Sequence, residues 1–463
     1  MKKPEGRGLR VVGIIVLWSL AGCQQSVPGS VSDTDKLVVL TRNAPTTYYI
    51  GRDRPMGFEH DLVTAFAASL GVEVEFKMRQ TVASLLDAIQ GGEGHIAAAG
   101  LTRTPQREKT FLFGPDYHMV QQQVVCHRDG PRPRRLRDLA NVELLIVKNS
   151  SYEERLRELQ DTLPGLRWET TAELTTEEIL ARVSRKKVGC TVADSTIVAI
   201  NRRYFPELVV AFPLTDPQPL AWIIRSEATD LRNALERWFD QSAQAELLRT
   251  LRDRYFAHVE IFDYVDVRTY HRHIAKRLSH FRSLFEEAAR THNLPWTLLA
   301  ALAYQESHWR PEAISPTGVR GIMMLTKPTA QALGVSDRLD PGQSINAGAH
   351  YLAKQFQRVP ERVQNPDRLW FALAAYNVGM NHLLDAQTLA KRLGKDPHVW
   401  RDVKTVLPLL AKREYFETLT YGYARGTEPV RFVRRIRNYR EILEKQLVHR
   451  TQPRWPFPGS SAL

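Results

Sequence analysis

The hydrophobic period of the chain changes once, near residue 270, and that change predicts two domains of different class. Upstream, strand-length apolar runs alternate with helical stretches. KLVVLTR is followed by FEHDLVTAFAASLG, stopped by Gly71, then by the alternating VEVEFKM, the helical ASLLDAIQGGEG and the buried strand HIAAAGL. The rhythm returns in VELLIVKNSS, TEEILARVSRKK, VGCTVADSTIVAI and DLRNALERWFDQSAQ. Strands alternating with helices predict an α/β domain with parallel sheets. Downstream, helix follows helix in HFRSLFEEAARTHN, PWTLLAALAYQES, KPTAQALG, SINAGAHYLAKQFQ and LWFALAAYNVGMNHLLDA. The expected units are an α/β domain over 36–258, an aromatic and charged connector over 259–279, a mainly α domain over 280–450 and a loose tail over 451–463. A length of 463 residues accommodates them.

The first residues predict the compartment. Lys2, Lys3, Arg7 and Arg10 precede the apolar VVGIIVLWSL, which is too short to span a bilayer comfortably and reads as a secretory signal. It ends in Leu20-Ala21-Gly22-Cys23, which resembles the cleavage box of bacterial lipoproteins. That resemblance implies a signal peptide over 1–22, lipid on the Cys23 thiol and a tether over 23–35. Gln24 follows, without the aspartate that retains lipoproteins in the inner membrane, so the expected location is the outer membrane, facing the periplasm. There Cys126 and Cys190 either pair or remain two core thiols. The formal net charge of +13 suits work beside anionic polymers. The basic residues are scattered and no nucleic-acid motif is present, which leaves anionic lipid or an acidic wall polymer.

One carboxylate stands out. Asn293 is placed to cap a helix with Pro295 in its first turn. Leu298, Leu299 and Leu302 then share a face, and Glu306 falls four residues beyond Leu302 on the same stripe. Burial disfavours the charged form, so Glu306 is expected to hold its proton at neutral pH, as a general acid must. Glycosidases ordinarily use two carboxylates. This stretch offers only Glu312, beyond a proline.

Residues 36–258 resemble the family 3 periplasmic solute-binding domains. The matching pieces are GFEHDLV at 57–63, TRTPQREKTFLFGPDY at 102–117, VKNSSY at 147–152 and VADS at 192–195. The resemblance implies two α/β lobes that close on a ligand, typically an amino acid. It places Arg107 on the ligand carboxylate through its bidentate fork, Asp194 on the ammonium group, and Ser150 and Ser151 as donors from the second lobe. Read alone, Arg107 is a solvated helix-start arginine and Asp194 a cap for STIVAI.

Residues 280–445 resemble the family 1 lytic transglycosylases, which have a lysozyme-like fold. The segments are ESHW at 306–309, SPTGVRGIMMLT at 315–326, INAGAHYL at 345–352, AYNVG at 375–379 and RFVRRIRNY at 431–439. The order of modules is similar to that of the F-type membrane-bound enzymes. The resemblance implies cleavage of peptidoglycan glycan strands without water, leaving 1,6-anhydromuramic ends. It makes Glu306 acid and then base, and sets Tyr376 beside it. Asn377, Ser307, Met323, Met324 and Tyr439 are the further substrate contacts expected, the methionine pair as an adaptable apolar wall of the cleft. Beside a wall-cleaving domain, a muropeptide is the other ligand expected for the amino-terminal lobes. Where many relatives carry Gly-Leu-Met-Gln, this chain has Gly321-Ile322-Met323-Met324, so no polar contact carries over to Met324. Without the resemblance, Ser307 is a helix-end cap, Asn377 structural and the methionine pair core. No cofactor and no metal are expected, since His308, His382 and the other histidines stand isolated. A hydrolytic muramidase and an amino-acid sensor with a vestigial second domain are the rival readings.

Overall fold

The computed structural model describes residues 35–50, 55–256, 264–315 and 318–451. The expected signal segment, Cys23 with most of its tether, and the tail beyond residue 451 lie outside the described residues.

The amino-terminal domain has two lobes. The first holds a five-stranded sheet in the order Glu73–Met78, Lys36–Thr41, Ile96–Ala97, Gln218–Ile224, Leu112–Val120. The second holds a three-stranded sheet in the order Cys190–Asp194, Gln122–His127, Leu208–Pro213, beside the parallel pair Leu145–Val147 and Glu169–Thr171. The expectation of parallel sheets holds for Lys36–Thr41 and its two neighbours and for the pair Leu145–Val147 and Glu169–Thr171, and fails for the remaining pairs of the two larger sheets. The reason is the path between lobes. Leu112–Val120 and Gln122–His127 carry the chain out, whereas Leu208–Pro213 and Gln218–Ile224 bring it back. Outgoing and returning strands pair side by side, so they run antiparallel in both lobes.

Cys126 and Cys190 face each other across the antiparallel pair and form a disulfide, both fully buried. The bond closes a loop with a sequence separation of 64 residues. Loop closure of that order restricts the unfolded chain by roughly 2–4 kcal/mol. The Cys126→Ala/Cys190→Ala double variant is therefore expected to unfold at lower urea, with the amino-terminal transition reporting the loss. An unchanged midpoint would show that the bond contributes nothing to stability.

The second domain is helical around a single core. Every residue from Thr297 to Tyr304 of the helix Trp296–Ser307 is buried. This helix is thus central, packed on every side, and not the one-faced helix that the leucine spacing predicts. Helices Arg282–His292 and Thr427–Thr451 lie against it. Asn293 caps a helix, but the preceding one: it takes the left-handed conformation (φ 52°) at the end of Arg282–His292. Pro295 then serves as N-cap. The expected connector is helical from Tyr264 to Lys276, and Val267, Tyr270 and Ile274 belong to the same core.

Polar contacts join the domains. The Arg203 guanidinium donates to Asn438 Oδ1 at 3.1 Å and pairs with Glu441, both on the closing helix. From the other lobe, Glu246 pairs with Arg401 and Asp253 with Lys404, and the Arg254 carbonyl accepts from Arg437 at 2.7 Å.

Candidate active site and ligand cleft

Glu306 sits in the last turn of the central helix, half-buried. Desolvation raises its pKa to about 8. The negative end of the helix dipole acts in the same direction. Among the described residues no hydrogen bond or opposite charge draws it back down. It is a carboxylic acid at neutral pH.

The loop after the helix is anchored by Ser307. Its hydroxyl lies 2.8 Å from the Ile322 carbonyl and accepts the Arg310 N–H at 3.2 Å. The side chain is 3% exposed, so Ser307 ties helix to loop and does not face a substrate. Gly321 has φ 87°, and a Cβ there would lie 1.8 Å from the Arg338 carbonyl oxygen, which only glycine permits. Met323 is corrected from cleft wall to core: it is fully buried, and its side chain presses on the bare backbone at Gly348. Met324 is half-buried, with its backbone left-handed (φ 49°).

Tyr376 does not hold the Glu306 carboxyl. Its hydroxyl donates to the Met323 carbonyl at 3.3 Å, although Glu306 is near enough to help burial raise the phenol pKa. Its ring packs edge-on against Tyr351 (5.2 Å) and stacks on Phe432 (6.2 Å, 14° between planes). Asn377 is exposed near the end of the helix Asp367–Val378, which also carries Tyr376. Tyr439 does not face the cleft: its ring is buried between Tyr270 and Tyr304. Tyr351 and Phe432 are neighbours the sequence reading missed. A helical signal for Tyr351 existed, because Ser344, Gly348 and Tyr351 share one face at i, i+4 and i+7.

In the amino-terminal domain the expected ligand residues meet at the cleft between lobes. Arg42, Arg107, Ser150, Ser151, Tyr152 and Asp194 line one cavity there. Arg107 is not solvated: it is buried, with Nε on Glu154 of the other lobe (3.0 Å) and Nη1 on the Thr102 carbonyl (3.2 Å). Its fork is therefore already partly engaged. Ser150 caps the helix Ser151–Gln160 and donates to the Val147 carbonyl at 2.6 Å, so its hydroxyl is used locally. The Ser151 hydroxyl reaches Thr102 across the cleft at 3.4 Å.

Asp194 stands at the N-cap of Ser195–Arg202 but makes no side-chain cap bond. It is 5% exposed, Oδ1 has no partner, and burial raises its pKa to about 6 against the pull of Tyr152, Arg42 and Arg107. Arg42, also buried, leaves Nε without a partner and lines the same cavity. An unpartnered carboxylate oxygen and an unpartnered guanidinium nitrogen in one cavity suit a zwitterion. Arg42 was missed, yet a lone arginine ending the apolar run LVVLT is legible as a ligand group, because open α/β sheets bind at the carboxyl ends of their strands.

Residues 36–258 match the family described as bacterial extracellular solute-binding proteins, family 3, and residues 283–399 match the transglycosylase SLT domain. The chain is 46% identical over 449 residues to the membrane-bound lytic murein transglycosylase F of Maricaulis maris (strain MCS10), covering 94% of this chain and 98% of that protein. It is 46% identical over 415 residues to membrane-bound lytic murein transglycosylase F 2 of Alkalilimnicola ehrlichii, covering 89% and 92%. The counterpart in Aliivibrio fischeri is 42% identical over 432 residues, covering 92% and 87%.

Proposed function

The chain belongs to the membrane-bound lytic murein transglycosylase F family, and from that membership we propose a glycan-cleaving lyase in which Glu306 is the only acid and the only base. It is a peptidoglycan lytic transglycosylase with a solute-binding module ahead of the catalytic domain. The observation that carries the mechanism is the isolation of Glu306: protonated by burial, with no second ionisable group among the described residues shifting it. A hydrolytic muramidase would need a water-activating carboxylate opposite, whereas Glu312 lies exposed on the loop after the helix.

The protonated carboxyl gives its proton to the glycosidic oxygen between N-acetylmuramic acid and N-acetylglucosamine as the C1–O bond breaks. The muramic 2-acetamido group supports the developing cation, in the manner of substrate-assisted glycosidases. The carboxylate then takes the proton of the C6 hydroxyl, whose oxygen bonds to C1. Glu306 ends protonated, and no water is consumed. The internal hydroxyl outcompetes solvent because it is already held beside C1. Mass spectrometry of digested sacculi tests this. Muropeptides with 1,6-anhydromuramic ends are expected, and reducing-end muramic acid as the main product would replace the lyase by a hydrolase.

The amino-terminal cleft is assigned to an amino acid or muropeptide, with Asp194 on its ammonium group and Arg42 together with Arg107 on its carboxylate. Attachment is assigned to lipid on Cys23, in the outer membrane and facing the periplasm. Cys23→Ala removes the lipid acceptor, so the variant is expected to lose lipid labelling and to leave the outer-membrane fraction. Unchanged labelling and fractionation would remove the anchor assignment.

A further inference from the structure

Tyr421 and Tyr423 are 47% and 56% exposed, the most open aromatic side chains among the described residues. Single exposed apolar groups are ordinary. What sets this pair apart is how firmly its backbone is held. Asp385, on the helix Met380–Arg392, is 3% exposed. Its carboxylate accepts the N–H of Thr420 at 3.2 Å and of Tyr421 at 2.8 Å. Arg392 donates to the Thr418 carbonyl at 3.1 Å. The Ala424 N–H reaches the Leu410 carbonyl at 3.1 Å, and Gly426 lies so close to Leu407 that a Cβ would stand 1.6 Å from its carbonyl oxygen. Phe416 braces the Tyr423 ring edge-on at 5.8 Å. Burying a carboxylate is costly. Here it is committed to two loop amides while the rings beside them stay in water.

The loop leads straight into the helix Thr427–Thr451, where Phe432 stacks on Tyr376 next to Glu306. From Tyr423 to Phe432 the chain spans no more than about 22 Å, counting extended and helical rises. Both rings therefore stand on the segment that leads into the aromatic wall beside Glu306, at a distance that a glycan strand several sugars long can span. We propose that Tyr421 and Tyr423 form a stacking platform for sugar rings of the glycan strand, outside the cleavage site. A pyranose offers an apolar C–H face to an aromatic ring and leaves its hydroxyls in water, so it suits a rigid, solvent-facing tyrosine pair. A held backbone lowers the ordering cost of binding. The platform rests on the reading of the chain as a glycan lyase.

The test separates binding from cleavage. Full-length Glu306→Gln protein in detergent is cosedimented with purified sacculi, with and without Tyr421→Ala/Tyr423→Ala. The double change is expected to weaken binding about tenfold, the scale of a lost aromatic anchor. Tyr421→Phe/Tyr423→Phe should bind as its parent does, because the ring and not the hydroxyl makes the contact. With Glu306 restored, the alanine pair should lose about tenfold in kcat/KM on long strands and under twofold on a tetrasaccharide. Unchanged cosedimentation overturns the platform. Equal losses on long and short substrates also overturn it, assigning the tyrosines to loop structure. A wild type that cleaves neither substrate overturns the lyase reading instead, and leaves the cosedimentation result to stand by itself.

Discussion

Glu306→Gln abolishes cleavage, by about 10⁴-fold or more, because one residue serves as both acid and base and each such role is worth about 10²–10⁴. Glutamine keeps the shape and cannot transfer the proton. Nothing in the fold argues for collapse, since the carboxyl makes no hydrogen bond among the described residues. The variant is in fact expected to gain stability at neutral and alkaline pH. In the folded protein Glu306 titrates near 8, against 4.5 without burial. Below about pH 4.5 both states are protonated and the group is neutral in its effect. As pH rises from there towards 8, the unfolded chain gains by ionising while the folded site stays protonated, so the wild type loses stability across that window. Glutamine removes the loss. Urea unfolding at pH 4.5 and pH 8 should show the two proteins matched at the lower value and the variant ahead by roughly 1–4 kcal/mol at the higher. The wild-type cleavage rate should fall as pH passes about 8 and the acid is lost. A variant with residual activity above a hundredth of the wild type would remove Glu306 as the proton donor.

How much of this was legible in the sequence depended on whether a property is local. The place of Glu306 followed from leucine spacing and a helix start. The burial of Ala300, Ala301 and Ala303 did not, because periodicity finds one apolar face and cannot see that the small residues on the other faces admit neighbouring helices. Motif membership told which residues gather near the site, but not where they point. Ser307, Met323 and Tyr439 all lie in matched segments, and all turn into the core. Ser150 likewise spends its hydroxyl on its own helix start. The disulfide required the register of Cys126 against Cys190, which the antiparallel pairing of their two strands determines and spacing does not. Arg42 lies outside the segments that carry the family resemblance, and only the folded cleft brings it to Asp194 across more than 150 residues of chain.

Asp194→Asn is expected to weaken capture of the amino-terminal ligand by about 100-fold, the scale of removing one partner from a buried charge pair. The group is poised for such a partner, since its Oδ1 is buried and unmatched. Its pKa of about 6 lies above the ordinary 3.8, so below that pH an ammonium ligand has to displace a proton before it can pair with the carboxylate. Wild-type affinity should accordingly decline as pH falls below 6, and the asparagine variant should lack that decline. The same residue opens the helix Ser195–Arg202, and Arg203 at the far end holds Asn438 and Glu441 of the catalytic domain. The other lobe holds that domain separately, through Glu246 and Asp253. Lobes that shift on binding would pull these two attachments unequally and alter access to Glu306. Such coupling requires that the ligand prefer one arrangement of the lobes, since tight binding alone shifts nothing. Calorimetry with a panel of amino acids and muropeptides identifies binders, and glycan-cleavage rates with and without each binder follow. The regulatory expectation is a rate change in the wild type that Asp194→Asn abolishes. A compound that binds through Asp194 and leaves the rate unchanged would reduce the module to a tether that positions the enzyme on the wall.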